Sequence, residues 1–182
     1  MKTEERLLHH ARCLMWVRGY SAVSLREVCR AADVDASMVK RHFGSKRGLF
    51  EATLEGAFDL PVFETNDIAV LKENILTFIE NFKPEENVPT VLWLIIMNAS
   101  DPEVGEIVRA GQYEHMQRPL ERIVGSPTQA AYFLSVLMAT TLAETTLKLP
   151  GIAERGSAAY RAQLSHMMDA ALSCPTSERP LR

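Results

Sequence analysis

Helix punctuation constrains this 182-residue chain more than any other feature of its sequence. Apolar residues recur at the 3.6-residue period, and most such stretches are bracketed by a residue that starts or stops a helix. Leu7, Leu8, Ala11, Leu14 and Met15 share one stripe of a helix over about 4–18 that Gly19 ends. Ser24-Leu25-Arg26-Glu27 is a capping box, whose hydroxyl and carboxylate satisfy open N–H groups of a first turn, and its helix reaches about Ala32. Asp35 and Ser45 cap two more helices, over about 36–43 and from Lys46 to about Leu60, which Gly44 and Pro61 close.

Farther along, a helix reads from about Asp67 to Lys83, stopped by Pro84, and the next opens near Pro89 and covers Val91–Met97. Asp101-Pro102 opens a long helix toward Gly125, with a kink or break expected at Pro119. Ser126-Pro127-Thr128-Gln129 opens a helix to about Leu149, and a last one spans about Ser157 to Ser173. No alternating, strand-like run exceeds four residues. The expected fold is all-α, with about nine helices.

A chain that is 47% hydrophobic and 24% charged has enough apolar residues for a core, which excludes a disordered or collagen-like polymer. No apolar stretch approaches the roughly 18 residues of a membrane span, so no membrane partner is expected. The amino terminus is charged and amphipathic, unlike a signal peptide, and Cys13, Cys29 and Cys174 are an odd number without a CxxC pair. Both features suit free thiols in a reducing cytoplasm. The HExxH, GxSxG, Walker and GxGxxG patterns are missing, so the expectation is no enzyme, no metal site and no cofactor. His166 and Asp169 are three residues apart, but the partners a di-metal bundle needs are absent, and they read as a surface pair.

The net charge of −3 hides an asymmetry. Residues 1–50 carry ten Lys/Arg against five acids, or +5, and the other 132 residues carry −8. A basic end on an acidic body suits a polyanion partner, although a charged run can equally be a solvated face. That end also holds a short capped helix, a tight turn and a second short helix, the spacing of a helix-turn-helix. Val28, Ala31, Val34, Val39 and Phe43 are expected to lock the pair together, leaving Arg26 and the second helix's Ala36, Ser37, Met38, Lys40, Arg41 and His42 outward. Small residues at the start of a reading helix permit close approach to base edges, and cations after them suit phosphates. Two packed helices of any all-α protein would show the same spacing, so pattern and charge leave the choice open.

The residues themselves go further. LL..A..LM in the first helix, Gly19-Tyr20 after it, SLREVCRAA and above all VDASMVKRHFGSKRGLFEA (Val34 to Ala52) resemble the amino-terminal domain of the tetracycline-repressor (TetR) family. The resemblance covers the first quarter of the chain strongly and the remainder loosely. It implies a three-helix helix-turn-helix DNA-binding domain over 1–48 and a helical ligand-binding and dimerisation domain over 49–182. It further implies a homodimeric transcription regulator, a repressor released from a near-palindromic duplex operator by a small hydrophobic or amphipathic ligand. Carried over by position, Ser24 caps its helix and reaches a phosphate, and Arg26 contacts DNA from the same helix. Ala36, Ser37 and Met38 read bases, Lys40 meets phosphate or guanine, His42 touches the backbone, and Arg41 belongs to the same DNA-binding set without an assigned contact. Lys46 shares a phosphate with the amino end of its helix. Two departures stand out: Asp33 replaces the usual turn glycine, and Lys40 replaces the usual aromatic, most often tyrosine.

In the body, Phe78, Trp93, Met97, Tyr113, Met116 and Phe133 are candidates to line a ligand cavity, with Asn98, Gln112 or Glu144 as polar anchors. The same residues can simply fill a core. The helix around Ala130–Leu147 is apolar on nearly all sides, and the last helix carries a broad apolar stripe. Leu134, Met138, Tyr160, Leu164, Met167 and Met168 are therefore candidates for a dimer interface, a four-helix bundle about a two-fold axis. A monomer could bury them too. The alternative functions are a helical small-molecule-binding protein, or a regulator governed by a protein partner without ligand-induced release.

Overall fold

The structure is a computed structural model and describes residues 2–81 and 89–176; among these, all regular secondary structure is helical. The expected stop at Lys83–Pro84 and the end of the tail beyond Thr176 lie outside the described residues. The helices are α1 (Thr3–Ala11), α2 (Leu25–Ala32), α3 (Ala36–Phe43), α4 (Lys46–Thr53), α5 (Ile68–Asn81), α6 (Val91–Asn98), α7 (Gly105–Gln112), α8 (Arg118–Val124), α9 (Pro127–Thr145) and α10 (Ala158–Leu172). Two π-helical turns, Arg12–Trp16 and Tyr113–Gln117, and a 3-10 turn, Pro61–Phe63, complete the set. The helices fall into two compact units, one holding α1–α4 with α6 and α7, the other α5 with α8–α10. None of the helices is long and apolar enough to cross a membrane among the described residues.

In the first unit, α1 continues into the π turn, which seats Met15 and Trp16 in the core beside Leu7 and Ala11. Trp16 Nε1 donates to Thr53 Oγ1 at 2.9 Å, so the end of α1 is tied to the end of α4. Helix α4 stops at Thr53 rather than near Leu60, because Arg12 takes over its open end. The Arg12 guanidinium donates to the carbonyls of Thr53 and Glu55, both at 3.1 Å, and Gly56 then turns the chain at φ +67°. Of the residues expected to lock α2 to α3, Val28 and Val39 are fully buried, but Ala31 is exposed and Ala32 is buried in its place.

Asp101 acts earlier than expected. Its Oδ1 accepts from the N–H groups of Glu103 (2.9 Å) and Val104 (3.2 Å), forming a capped turn before α7 begins at Gly105. Pro119 does interrupt the run toward Gly125, one turn ahead of itself. A proline ring crowds the carbonyl four residues back, here that of His115, which lies inside the widened π turn.

In the second unit, α9 and α10 pack on each other, and Phe133, Leu134, Leu137, Leu164 and Met168 of these helices are buried. Arg161 bridges α10 to α5, donating to both Glu80 carboxylate oxygens (2.9 and 2.8 Å) and to Glu73. Lys72 pairs with Asp169 between the same helices. The loop after α9 is pinned twice by Gln163, which accepts from Ala153 N–H at 3.0 Å and donates to the Gly151 carbonyl at 3.3 Å.

Candidate nucleic-acid interface

The helix-turn-helix is held by caps at every joint. Ser24 Oγ accepts from Glu27 N–H at 3.2 Å, and Glu27 Oε2 accepts from Ser24 N–H at 2.7 Å, which closes the capping box. Hydrogen bonds from the Ser24 backbone and hydroxyl, then from Arg18, hold the Glu27 carboxyl down at about 2. Asp35 Oδ1 accepts from Ser37 N–H at 2.8 Å, and bonding from the Ser37 side chain and then its N–H lowers the Asp35 carboxyl from its ordinary range. Ser45 Oγ accepts from Gly48 N–H at 3.0 Å. Position 48 requires glycine, since a Cβ there would stand 2.0 Å from the Phe43 carbonyl oxygen.

With α3 fixed this way, Ala36, Ser37, Lys40, Arg41 and His42 are exposed and Met38 is half-buried, while Val39 fills the core beneath them. Ser24 and Arg26 are exposed on α2. One surface therefore combines small and polar side chains at the start of a short helix with cations after them. Arg30, on α2, is exposed as well and extends the cationic set; Arg47 is paired with Glu51 at 2.8 Å.

Lys46 is half-buried, and its Nζ donates to the Tyr20 carbonyl at 2.8 Å. The ammonium also lies 4.0 Å from the Tyr20 ring centroid, at cation–π distance. Asp33 adopts the left-handed conformation, φ +50°, that its place at the turn calls for.

Residues 7–53 match the family model of bacterial regulatory proteins, tetR family. This amino-terminal domain belongs to the TetR family. Two solved TetR-type structures are similar over almost the whole chain. A transcriptional regulator of the TerR/AcrR family from Aquifex aeolicus VF5 is 18% identical, with a TM-score of 0.61 over 94% of this chain and 96% of that one. A structure assigned to the TetR family of transcriptional regulators, from Mesorhizobium loti MAFF303099, is 15% identical, with a TM-score of 0.53 over 93% of each chain. At these identities the likeness is one of fold, and it extends the TetR-type helical architecture to the body. No curated protein matches the sequence.

The candidate ligand residues are scattered. Phe78 and Tyr113 are exposed, Met116 and Phe133 are buried in the second unit, and Trp93 and Met97 are half-buried on α6. A hollow of about 380 Å³ does exist in the second unit, but none of these six lines it; its walls include Ala139, Thr140, Ala143, Ile152, Tyr160 and Met167. Two of the candidate anchors are already engaged. Asn98 donates to the carbonyls of Met15 and Leu94 and accepts from Tyr20 N–H. Glu144 accepts from Arg155 at 2.8 and 3.0 Å and from the Tyr160 hydroxyl at 3.1 Å. Burial first, then the Glu144 carboxylate, push the Tyr160 phenol up to about 12.

Among the candidate interface residues, Leu134, Tyr160, Leu164 and Met168 are buried within the unit itself, Met138 is half-buried and Met167 is exposed. They lie in a unit where α9 packs on α10, α8 and the Tyr113–Gln117 turn and α10 also packs on α5, contacts that helical periodicity cannot separate from those between subunits. Other residues occupy the open faces: Tyr132, Ser135 and Ala139 on α9, and Ala162, Gln163 and His166 on α10. Sequence reasoning also missed Arg6, Tyr20 and Asn98 as organisers of the DNA-binding domain. Gly19-Tyr20 was visible only as a motif, and each of the three has a partner 26 or more residues away.

Proposed function

We propose that this chain is a homodimeric, sequence-specific transcription regulator, a repressor released from a near-palindromic operator by a small molecule. The observation that carries the reading is α3 itself. It is a capped eight-residue helix whose outward residues, Ala36, Ser37, Lys40, Arg41 and His42, combine short side chains with cations, inside a domain of TetR type. Short residues suit base edges in the major groove, cations suit phosphates, and Ser24, Arg26, Met38 and Lys46 complete the set. Two copies related by a two-fold axis would read half-sites about one helical turn or more apart. The open faces of α9 and α10 support that pairing, because exposed Ala139 and Ala162 leave room for two helices to approach closely. Ligand release would be a population shift toward a dimer whose reading helices are wrongly spaced.

Selection from a random-sequence duplex pool at stated moderate salt tests this reading. Enrichment of a palindrome is the expected result, and salt-sensitive bulk binding without enrichment would count against specific regulation. A second reading, control by a protein partner, is favoured by the commitment of Asn98 and Glu144 to internal bonds. It predicts that a selected operator is not released by any small molecule of a screened library.

A further inference from the structure

Tyr20 is the most heavily tethered residue beside the candidate interface. Its N–H donates to Asn98 Oδ1 at 2.7 Å, its hydroxyl to Glu103 Oε2 at 3.1 Å, and its ring meets Phe50 edge-on at 5.3 Å between centroids. The next residue is tied to the same place, with Ser21 N–H donating to Asp101 Oδ2 at 3.2 Å. Asn98, Asp101 and Glu103 sit at the turn between α6 and α7, so that turn grips the Gly19–Ser21 loop by three hydrogen bonds. Burial of the ring, 3% exposed, leaves it little room to move.

The remaining two surfaces of Tyr20, its carbonyl oxygen and one ring face, are turned to Lys46. A lysine on a free four-carbon stem loses rotamer entropy when it settles on a phosphate. Here that ordering has already happened in the DNA-free chain. The ammonium keeps two of its three N–H donors beyond the bond to the carbonyl. It sits at the first residue of α4, where the positive end of the helix adds to its field.

We infer that Tyr20 is a positioning residue for DNA binding, holding the Lys46 ammonium by carbonyl and ring face so that it meets a backbone phosphate already ordered. Asn98 and Glu103 act one step farther back by fixing Tyr20. The inference rests on the regulator reading, through the phosphate contact of Lys46, and adds to it a residue that touches no DNA.

The test varies the charge on the ring face, with Tyr20→Phe, which lacks the hydroxyl bond to Glu103, as its reference. Position 20 receives Tyr20→Phe, then mono-, di- and trifluorophenylalanine, which progressively drain charge from the ring face. Binding to the duplex selected from the random pool is measured at fixed salt, and thermal unfolding of each variant checks the fold. The expected result is a stepwise loss of affinity, about fivefold from the Tyr20→Phe variant to its trifluorinated analogue, at the thermal midpoint of Tyr20→Phe. In a Lys46→Met background the series is expected to be flat. A flat series with Lys46 present, in a protein whose salt slope does fall on Lys46→Met, overturns the role of Tyr20 and leaves the regulator reading intact. The same decline in both backgrounds overturns it too, because the ring would then act on the fold. Absence of duplex binding by the unaltered chain removes the regulator reading, and this inference with it.

Discussion

The Arg6 guanidinium lies 2.7 Å from the carbonyl oxygen of Asp33 and 3.3 Å from its carboxylate, although the two residues are 27 positions apart. Arg6 also donates to the Ala32 carbonyl, so one side chain of α1 covers the open end of α2. Asp33 stands in left-handed backbone where TetR-type turns usually have glycine. The tether from α1 offsets the strain of a side chain there and partly neutralises a carboxylate near the candidate interface.

Removing that tether should be costly. Arg6→Ala is expected to lower stability by about 1–2 kcal/mol, the usual worth of charge-assisted bonds to backbone carbonyls. Asp33→Gly in the same background should recover up to about 1 kcal/mol by relieving the left-handed residue. Urea unfolding of the single and double variants checks both; an Arg6→Ala chain that unfolds at the parent midpoint sinks the argument.

Lys46 and the start of α3 should behave differently in binding experiments. Lys46→Ala is expected to weaken binding about equally on all duplexes and to lower the salt slope by about one. Changes at Ser37 or Met38 should instead shift sequence preference at a cost of about 1–3 kcal/mol for the preferred base pair. Titrations of selected and scrambled duplexes at several salt concentrations separate these patterns. An unchanged salt slope in Lys46→Ala would mean that this ammonium meets no phosphate.

Acid should loosen the capping box of α2. The Glu27 carboxyl is held at about 2, against an ordinary value of 4.5, so its contribution is present above about pH 4.5 and lost as pH falls toward 2. Glu27→Gln should flatten the pH dependence of stability across that window and leave it unchanged near neutrality. Thermal melts at closely spaced pH values provide the comparison, and parallel curves for the two proteins would contradict the assignment.

Pairing of two chains through α9 and α10 predicts a specific sensitivity. Ala139→Arg or Ala162→Arg places a long cation on an exposed face, with little expected change in protomer stability. Sedimentation should show the parent as a dimer and the variants shifted to monomer, with affinity for a palindromic duplex reduced and that for a half-site retained. A variant that sediments as the parent does would place the interface elsewhere.

Helix starts were the most legible part of this protein. Ser24, Asp35, Ser45 and Ser126 each accept a backbone N–H at the head of the helix they were expected to open. Capping is a contact between residues two or three apart, and so it is written locally. Helix ends were less legible where a distant side chain intervened, as Arg12 does at Thr53 and Glu55. The outward side of α3 could be read in advance because Val39 alone anchors its centre in the core.

What sequence by itself determined here is the helical fold class, the caps and the TetR-type amino-terminal domain, because periodicity, capping and motif spacing are all short-range properties. Tertiary structure alone decided that Asn98 is a structural clamp on Met15, Leu94 and Tyr20 rather than an open anchor. It also decided that Leu134, Leu164 and Met168 are spent inside one chain, and that Lys46 rests on Tyr20. An apolar stripe or a polar side chain records only that a partner is needed. Which partner it meets depends on packing between segments far apart along the chain, where each choice of neighbour excludes another.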